Sequence, residues 1–183
     1  MKGNMKMLKH MRILAVALLA AMLFAGCGES SSSSSSSSGS SSDDRNRDFK
    51  KLAEGKKAIE EDKKRGIRFE EGANRIELIQ FPKDSNIKNY KIPYGVAEIW
   101  TGAFKGCTNL TSVTIPNSVT VIGAGAFNGC INLTSVTIPN SVTEIRIDAF
   151  WNCTNLTSIT LPARFKGQEK SLAIPENCKV TYR

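Results

Sequence analysis

The residues of this 183-residue chain best able to do chemistry are five cysteines, one histidine and scattered carboxylates, and their positions mainly exclude reactions. His10 lies within residues 1–26, which read as a removable signal, so the mature chain holds no imidazole. Ser-His and Cys-His nucleophilic catalysis and most zinc sites need one. Glu98, Glu144 and Asp148 are expected singly on exposed positions, leaving no carboxylate pair placed for glycoside hydrolysis. The chain is therefore read as a non-enzyme with no catalytic residue, cofactor or metal site. Cys107, Cys130 and Cys153 recur every 23 residues. Export would permit disulfides, yet a column of three thiols pointing one way cannot pair completely. Rungs ~4.8 Å apart also hold their Cβ vectors parallel, which suits a disulfide badly. Buried thiols are expected, while the redox state of these three and of Cys178 stays open.

The cysteine column is one of several. Leu110 to Asn155 is a 23-residue unit written twice, with 16 of 23 positions identical. Pro93, Pro116, Pro139 and Pro162 keep the same spacing, as do Phe104, Phe127 and Phe150. So short a unit cannot bury its own apolar side chains and must lay them against the next copy. The alternation of Val113 and Ile115 marks a strand with Ser112 and Thr114 turned outward. Pro116 lacks the donor for another rung and ends it. The chain then returns through Val119, Ile122, Ala126, Phe127 and Cys130, which should line the opposite wall. Asn109, Asn132 and Asn155 precede the strands, either as buried amides that satisfy the turn backbone or as solvated turn residues.

The pattern LTSVTIPNSVTxIxxxAFxxCxNL, over about Ile87 to Leu161, resembles the BspA-type (treponemal-type) leucine-rich repeat. The resemblance implies a right-handed, curved leucine-rich-repeat solenoid. A parallel β-sheet would lie on the concave side and short strands or 3-10 turns on the convex side, with capped ends and a charged helix in front. Proteins of this kind are secreted or surface proteins, often adhesins or interaction modules. Trp100 and Arg146 stand where Gly123 does, and Trp151 stands where Lys105 and Asn128 do.

Residues 1–26 carry Lys2, Lys6, Lys9 and Arg12 ahead of the apolar run Ile13–Phe24, the layout of a secretory signal. That run is too short for the ~20 residues of a membrane-spanning helix. Leu23 to Cys27 resembles a lipobox, which implies that Cys27 is acylated and becomes the N-terminus. Residues 27–42 are a Ser-rich, disordered tether. Residues 43–66 form a charged helical segment whose thin apolar side is Phe49, Leu52, Ala53 and Ile59; it either packs on the first coil or frays. Residues 67–86 are read as N-terminal cap strands, with a turn near Gly72. Pro82 lies only 11 residues before Pro93, so Ile76–Phe81 and Ile87–Ile92 are expected as an antiparallel hairpin closing the open end. Residues 87–183 make the repeat domain with its C-terminal cap, ending in a short strand in which Cys178, Val180 and Tyr182 alternate.

Removing the signal lowers the net charge from +8 to +4, and basic runs such as Lys63-Lys64-Arg65 are interleaved with acids, so no nucleic-acid partner is expected. The candidate binding face is Asn89, Lys91, Ser112, Thr114, Ser135, Thr137, Ser158 and Thr160, with Tyr94, Trp100 and Trp151 as candidate flanking aromatics. Together these features describe a lipid-anchored module in the bacterial envelope, at the outer membrane or cell surface, that engages a protein or glycan ligand such as a host matrix protein. A non-binding envelope spacer and a glycan or surface binder using the Ser/Thr array are the alternatives.

Overall fold

The computed structural model describes residues 42–73 and 75–183. The expected signal, Cys27 and all of the tether before Ser42 lie outside the described residues. Helix α1 (Ser42–Lys64) leads into β1 (Arg68–Glu71) and β2 (Ile76–Gln80), joined by a tight turn in which Gly72 N donates to Arg75 O at 2.8 Å. From there the chain alternates between two walls. One wall collects β3 (Asn89–Lys91), β5 (Ser112–Thr114), β7 (Ser135–Thr137), β9 (Ser158–Leu161) and β10 (Lys179–Tyr182); the other collects β4 (Val96–Ile99), β6 (Val121–Ile122) and β8 (Glu144–Ile145) behind β1 and β2. Each wall is a five-stranded sheet, and every pairing except β1–β2 is parallel. The result is the expected solenoid preceded by a helix, with a short parallel ladder on the second wall as well.

Each coil turns twice for reasons written in its sequence. Pro93, Pro116 and Pro139 end their strands, and their carbonyls accept from Val96, Val119 and Val142 N at 3.3, 3.1 and 3.1 Å. The second turn is closed by Cys107, Cys130 and Cys153 N donating to the carbonyls of Phe104, Phe127 and Phe150. Between the walls, Val119, Ile122, Ala126, Phe127 and Cys130 are buried as expected, and the equivalent residues of neighbouring coils stack above and below them. The phenylalanine rings are almost parallel, 5.1 Å apart for Phe104–Phe127 and 5.5 Å for Phe127–Phe150. Such a column buries large apolar area that no single coil could cover.

The N-terminal end departs from the expected hairpin. β2 pairs antiparallel with β1 and parallel with β4, whereas β3 lies in the other sheet beside β5. Pro82 imitates a strand-ending proline, but Phe81 is a fourth member of the phenylalanine column, with its ring 5.2 Å from Phe104. Residues 83–88 are thus a crossing from one wall to the other, which is why the two prolines are only half a coil apart. α1 then covers this end with Gly55, Ala58, Ile59 and Asp62 turned inward. Phe49, Leu52 and Ala53, expected on the packed side, are exposed; only Ile59 of that set is buried. A Cβ on Gly55 would lie 1.9 Å from the Tyr94 carbonyl oxygen, so only glycine lets the helix backbone come this close.

At the other end the repeat decays by substitution within its columns. Phe165 is buried one period after Val142, and the Phe150 N–H is taken by Leu172 O at 3.0 Å. Val180 and Tyr182 are half-buried on the inner side of β10, and the Tyr182 hydroxyl donates to Glu169.

Candidate interaction face

The strands of the β3–β5–β7–β9–β10 sheet set their side chains in strict register. Asn89, Ser112, Ser135, Ser158 and Lys179 form one outward row, and Lys91, Thr114, Thr137, Thr160 and Thr181 form the next. All are exposed or half-exposed, while Tyr90, Val113, Val136 and Ile159 between them are buried. All eight residues chosen from the sequence therefore come together on one surface. Lys179 and Thr181 extend it and were not singled out, although they lie between the alternating Cys178, Val180 and Tyr182.

The rows are stiffened at their entry. Thr111 Oγ1 donates to Lys88 O at 3.0 Å, Thr134 Oγ1 to Thr111 O at 3.2 Å and Thr157 Oγ1 to Thr134 O at 3.2 Å. Two residues earlier, Asn109 Nδ2 donates to Ser85 O and Asn132 Nδ2 to Thr108 O, whereas Asn155 Nδ2 reaches only Asn132 Oδ1. Asn109 and Asn132 thus bond turn backbone from an exposed position, so the buried setting was wrong and the bonding role right. Ser112 Oγ donates to Asn89 Oδ1 at 2.8 Å, which commits one hydroxyl of the outward row.

Beyond the strand ends the face deepens into a groove of about 360 Å³ lined by Thr114, Asn117, Thr137, Pro139 and Arg183. Arg183 is fixed there by a bond from Nη2 to Ile138 O at 3.0 Å. A second hollow, of about 380 Å³ and also touching Asn117, lies between α1 and the end of β3 and includes Lys51, Lys91 and Tyr94. Lys51 Nζ sits 5.9 Å from the Tyr94 ring centroid, a cation over an aromatic face. Of the three flanking aromatics, Tyr94 alone borders these grooves. Trp100 follows β4 in the other sheet, and Trp151 lies in the turn after β8. Ile147, exposed on that second wall, was not foreseen.

Charge is arranged differently on the two walls. The hydroxyl face carries Lys91, Lys179 and Arg183 but no acid in its two rows. On the other sheet, Glu77, Glu98, Val121 and Glu144 stand in one row. Glu98 is not exposed as expected but only 4% accessible, because guanidinium groups lie over it. Arg75 Nη1 is 3.6 Å and Arg146 Nη1 is 3.9 Å from its carboxylate, and Arg146 also bonds Glu144 at 2.8 Å. These acids are neutralised by arginine bridges, which gives them a structural partner.

The three column thiols are buried and free. Cys130 Sγ donates to Phe104 O and Cys153 Sγ to Phe127 O, each at 3.1 Å and each across to the preceding coil. Burial pushes the Cys107 thiol up to about 11 and Cys153 up to about 12, and raises Cys130 further still. They are poor nucleophiles and poor metal ligands in this state. Among the described residues, no three His, Cys, Asp or Glu side chains are grouped to hold a metal ion.

The family model described as "BspA type Leucine rich repeat region" matches six copies over residues 74–180, a longer run than Ile87 to Leu161. A leucine-rich repeat protein from Bacteroides capillosus aligns with 63% of this chain and 92% of its own, at 25% identity and a TM-score of 0.55. A leucine rich cell surface protein from Faecalibacterium prausnitzii aligns at 31% identity and a TM-score of 0.45, over 63% of this chain. The match spans only 38% of the length of the Faecalibacterium protein. No curated protein matches the chain.

Proposed function

The chain belongs to the BspA-type leucine-rich repeat family, and from that premise we propose that it is a non-enzymatic interaction module of the bacterial envelope. It is exported, held to a membrane by a lipid on Cys27, and engages a macromolecular partner through the outer face of the β3–β5–β7–β9–β10 sheet. The observation that carries this reading is the register of that sheet, which presents two polar rows free of acids beside grooves that end in Lys91 and Arg183.

Size decides how such a face works. Five strands ~4.8 Å apart, each offering ~17 Å of length, give on the order of 400 Å². A stable interface takes roughly 800 Å² per partner, so one copy binds weakly through this surface alone. Many tethered copies on one membrane raise the avidity without new contacts. Weak single-copy binding and strong multivalent adhesion are therefore expected together.

The test is a screen of the unlipidated domain, residues 42–183, against immobilised matrix proteins and glycans, first as a monomer and then displayed on beads. Micromolar or weaker binding by the monomer, firm adhesion by the beads, and loss of both on Thr114→Glu or Thr137→Glu are expected. Nanomolar monomer binding, or adhesion indifferent to the two threonines, would refute the assignment of the face. No binding in either format would favour the spacer.

A further inference from the structure

Helix α1 has two unlike sides. Gly55, Ala58, Ile59 and Asp62 face the solenoid, with Asp62 accepting the Tyr90 hydroxyl at 2.7 Å. At ~100° per residue, the arc opposite them runs from Lys63 round to Glu61 and holds Phe49 together with Lys50, Lys56, Lys57 and Lys64. Between Phe49 and Lys64, Glu60 and Glu61 are its only acids. The helix as a whole is almost balanced, with eight bases and seven acids in sequence. Docking on the solenoid sorts them, because buried Asp62 faces inward and Asp48 turns aside to pair with Lys51 at 3.8 Å. Lys63 is held by Glu60 and Glu71, but Lys50, Lys56, Lys57 and Lys64 make no ion pair among the described residues. Phe49 is 71% exposed within this arc, nearer its Lys63 edge, and Leu52 borders it.

We propose that the outward side of α1 is a docking surface for an anionic phospholipid membrane, on which the helix lies along the headgroups with Phe49 inserted. The charge is complementary: each lysine near an anionic bilayer strengthens adsorption about fivefold. A bulky exposed apolar side chain among lysines gains nothing in water and is buried at the acyl boundary. The inference rests on the lipid-anchor reading for its position. Cys27 is 15 residues before Ser42, and at ~3.3 Å per residue that segment spans at most ~50 Å, so an acylated Cys27 keeps α1 within reach of the bilayer. With the helix flat on the membrane, the end of the solenoid that α1 covers faces the lipid and the coils rise away from it.

The experiment uses the chain from residue 27 with Cys27→Ser, so that no lipid contributes, in co-sedimentation with vesicles. Vesicles of equal parts phosphatidylglycerol and phosphatidylcholine should bind it and those of phosphatidylcholine alone should not, with binding weakened by salt. Lys56→Glu with Lys57→Glu should reduce binding more than tenfold, and Phe49→Ser several-fold. Lys179→Glu, on the far sheet edge, should have no effect. All of these side chains are exposed, and unchanged circular dichroism confirms the fold. Equal binding to both vesicle types, no binding to the anionic ones, an equal loss with Lys179→Glu, or capture by duplex DNA in place of vesicles would overturn the proposal. Acylation is read separately, from the mass of the mature N-terminus of the full chain. Its absence would remove the anchor and leave the vesicle result standing.

Discussion

At the scale of residues, the cysteine column is where identity and position are most tightly coupled. Each thiol is buried and directed at a phenylalanine carbonyl of the coil before, to which Cys130 and Cys153 donate a hydrogen bond at 3.1 Å. That carbonyl already accepts a backbone N–H from its own coil, so both lone pairs are used. The consequence is a pH dependence of known sign. An unfolded thiol ionises near 9.0, while in the fold burial holds Cys107 to about 11 and Cys153 to about 12. The stability they confer is full below pH 9.0 and is lost as pH rises towards the folded values, because only the unfolded chain releases its protons. Each fully buried thiol should contribute a slope of about 1.4 kcal/mol per pH unit in that window. Lys83 beside Cys107 lessens its share, and buried Tyr90, also raised, adds a loss of the same sign at higher pH. Urea unfolding between about pH 8 and about pH 10.5 measures this. Cys130→Ala should flatten the curve by roughly one proton, and an unchanged slope would mean that the thiol is not sequestered.

At the scale of elements, the caps behave differently from the coils they close. α1 is held by one close backbone approach, one buried isoleucine and the Asp62–Tyr90 hydrogen bond. Gly55→Ala separates the two forces acting on it. Helix propensity alone favours alanine by about 1 kcal/mol. A Cβ at 1.9 Å from a carbonyl oxygen cannot be accommodated without moving the helix, an overpacking cost of about 1–3 kcal/mol or more. The substitution should therefore lower the unfolding midpoint and speed amide exchange along residues 42–64, whereas a stabilised variant would show that α1 is not docked here.

The same contrast explains what the sequence let us read. Columns recurring every 23 residues announce themselves, so Phe127, Cys130 and the Ser/Thr rows can be placed from the sequence alone. The helix hid its contact side because that side is a glycine, an alanine, one isoleucine and an aspartate, and so lacks the apolar stripe that periodicity detects. The hairpin was misplaced because Pro82 follows a strand as the repeat prolines do. The 23-residue step from Phe81 to Phe104 was the better guide. Glu98 looks like any surface acid in sequence; its cover comes from Arg75 and Arg146, which flank it only after the coils stack.

At the scale of the whole molecule, the hydrogen bonds that join one coil to the next run along the stacking direction, as from Phe104 N to Ala126 O at 2.8 Å and from Phe127 N to Ala149 O at 2.9 Å. A pull on the two chain ends therefore loads these bonds one rung at a time, like opening a zip, and not many together in shear. The weakest outer coil should yield first at low force, releasing up to ~75 Å of slack for a full 23-residue unit at ~3.3 Å per residue. Stretching single molecules between their termini should give a sawtooth of nearly equal steps, and one abrupt rupture would contradict it. A body built in this way dissipates a tug gradually, lengthening under load where a compact domain would hold and then snap.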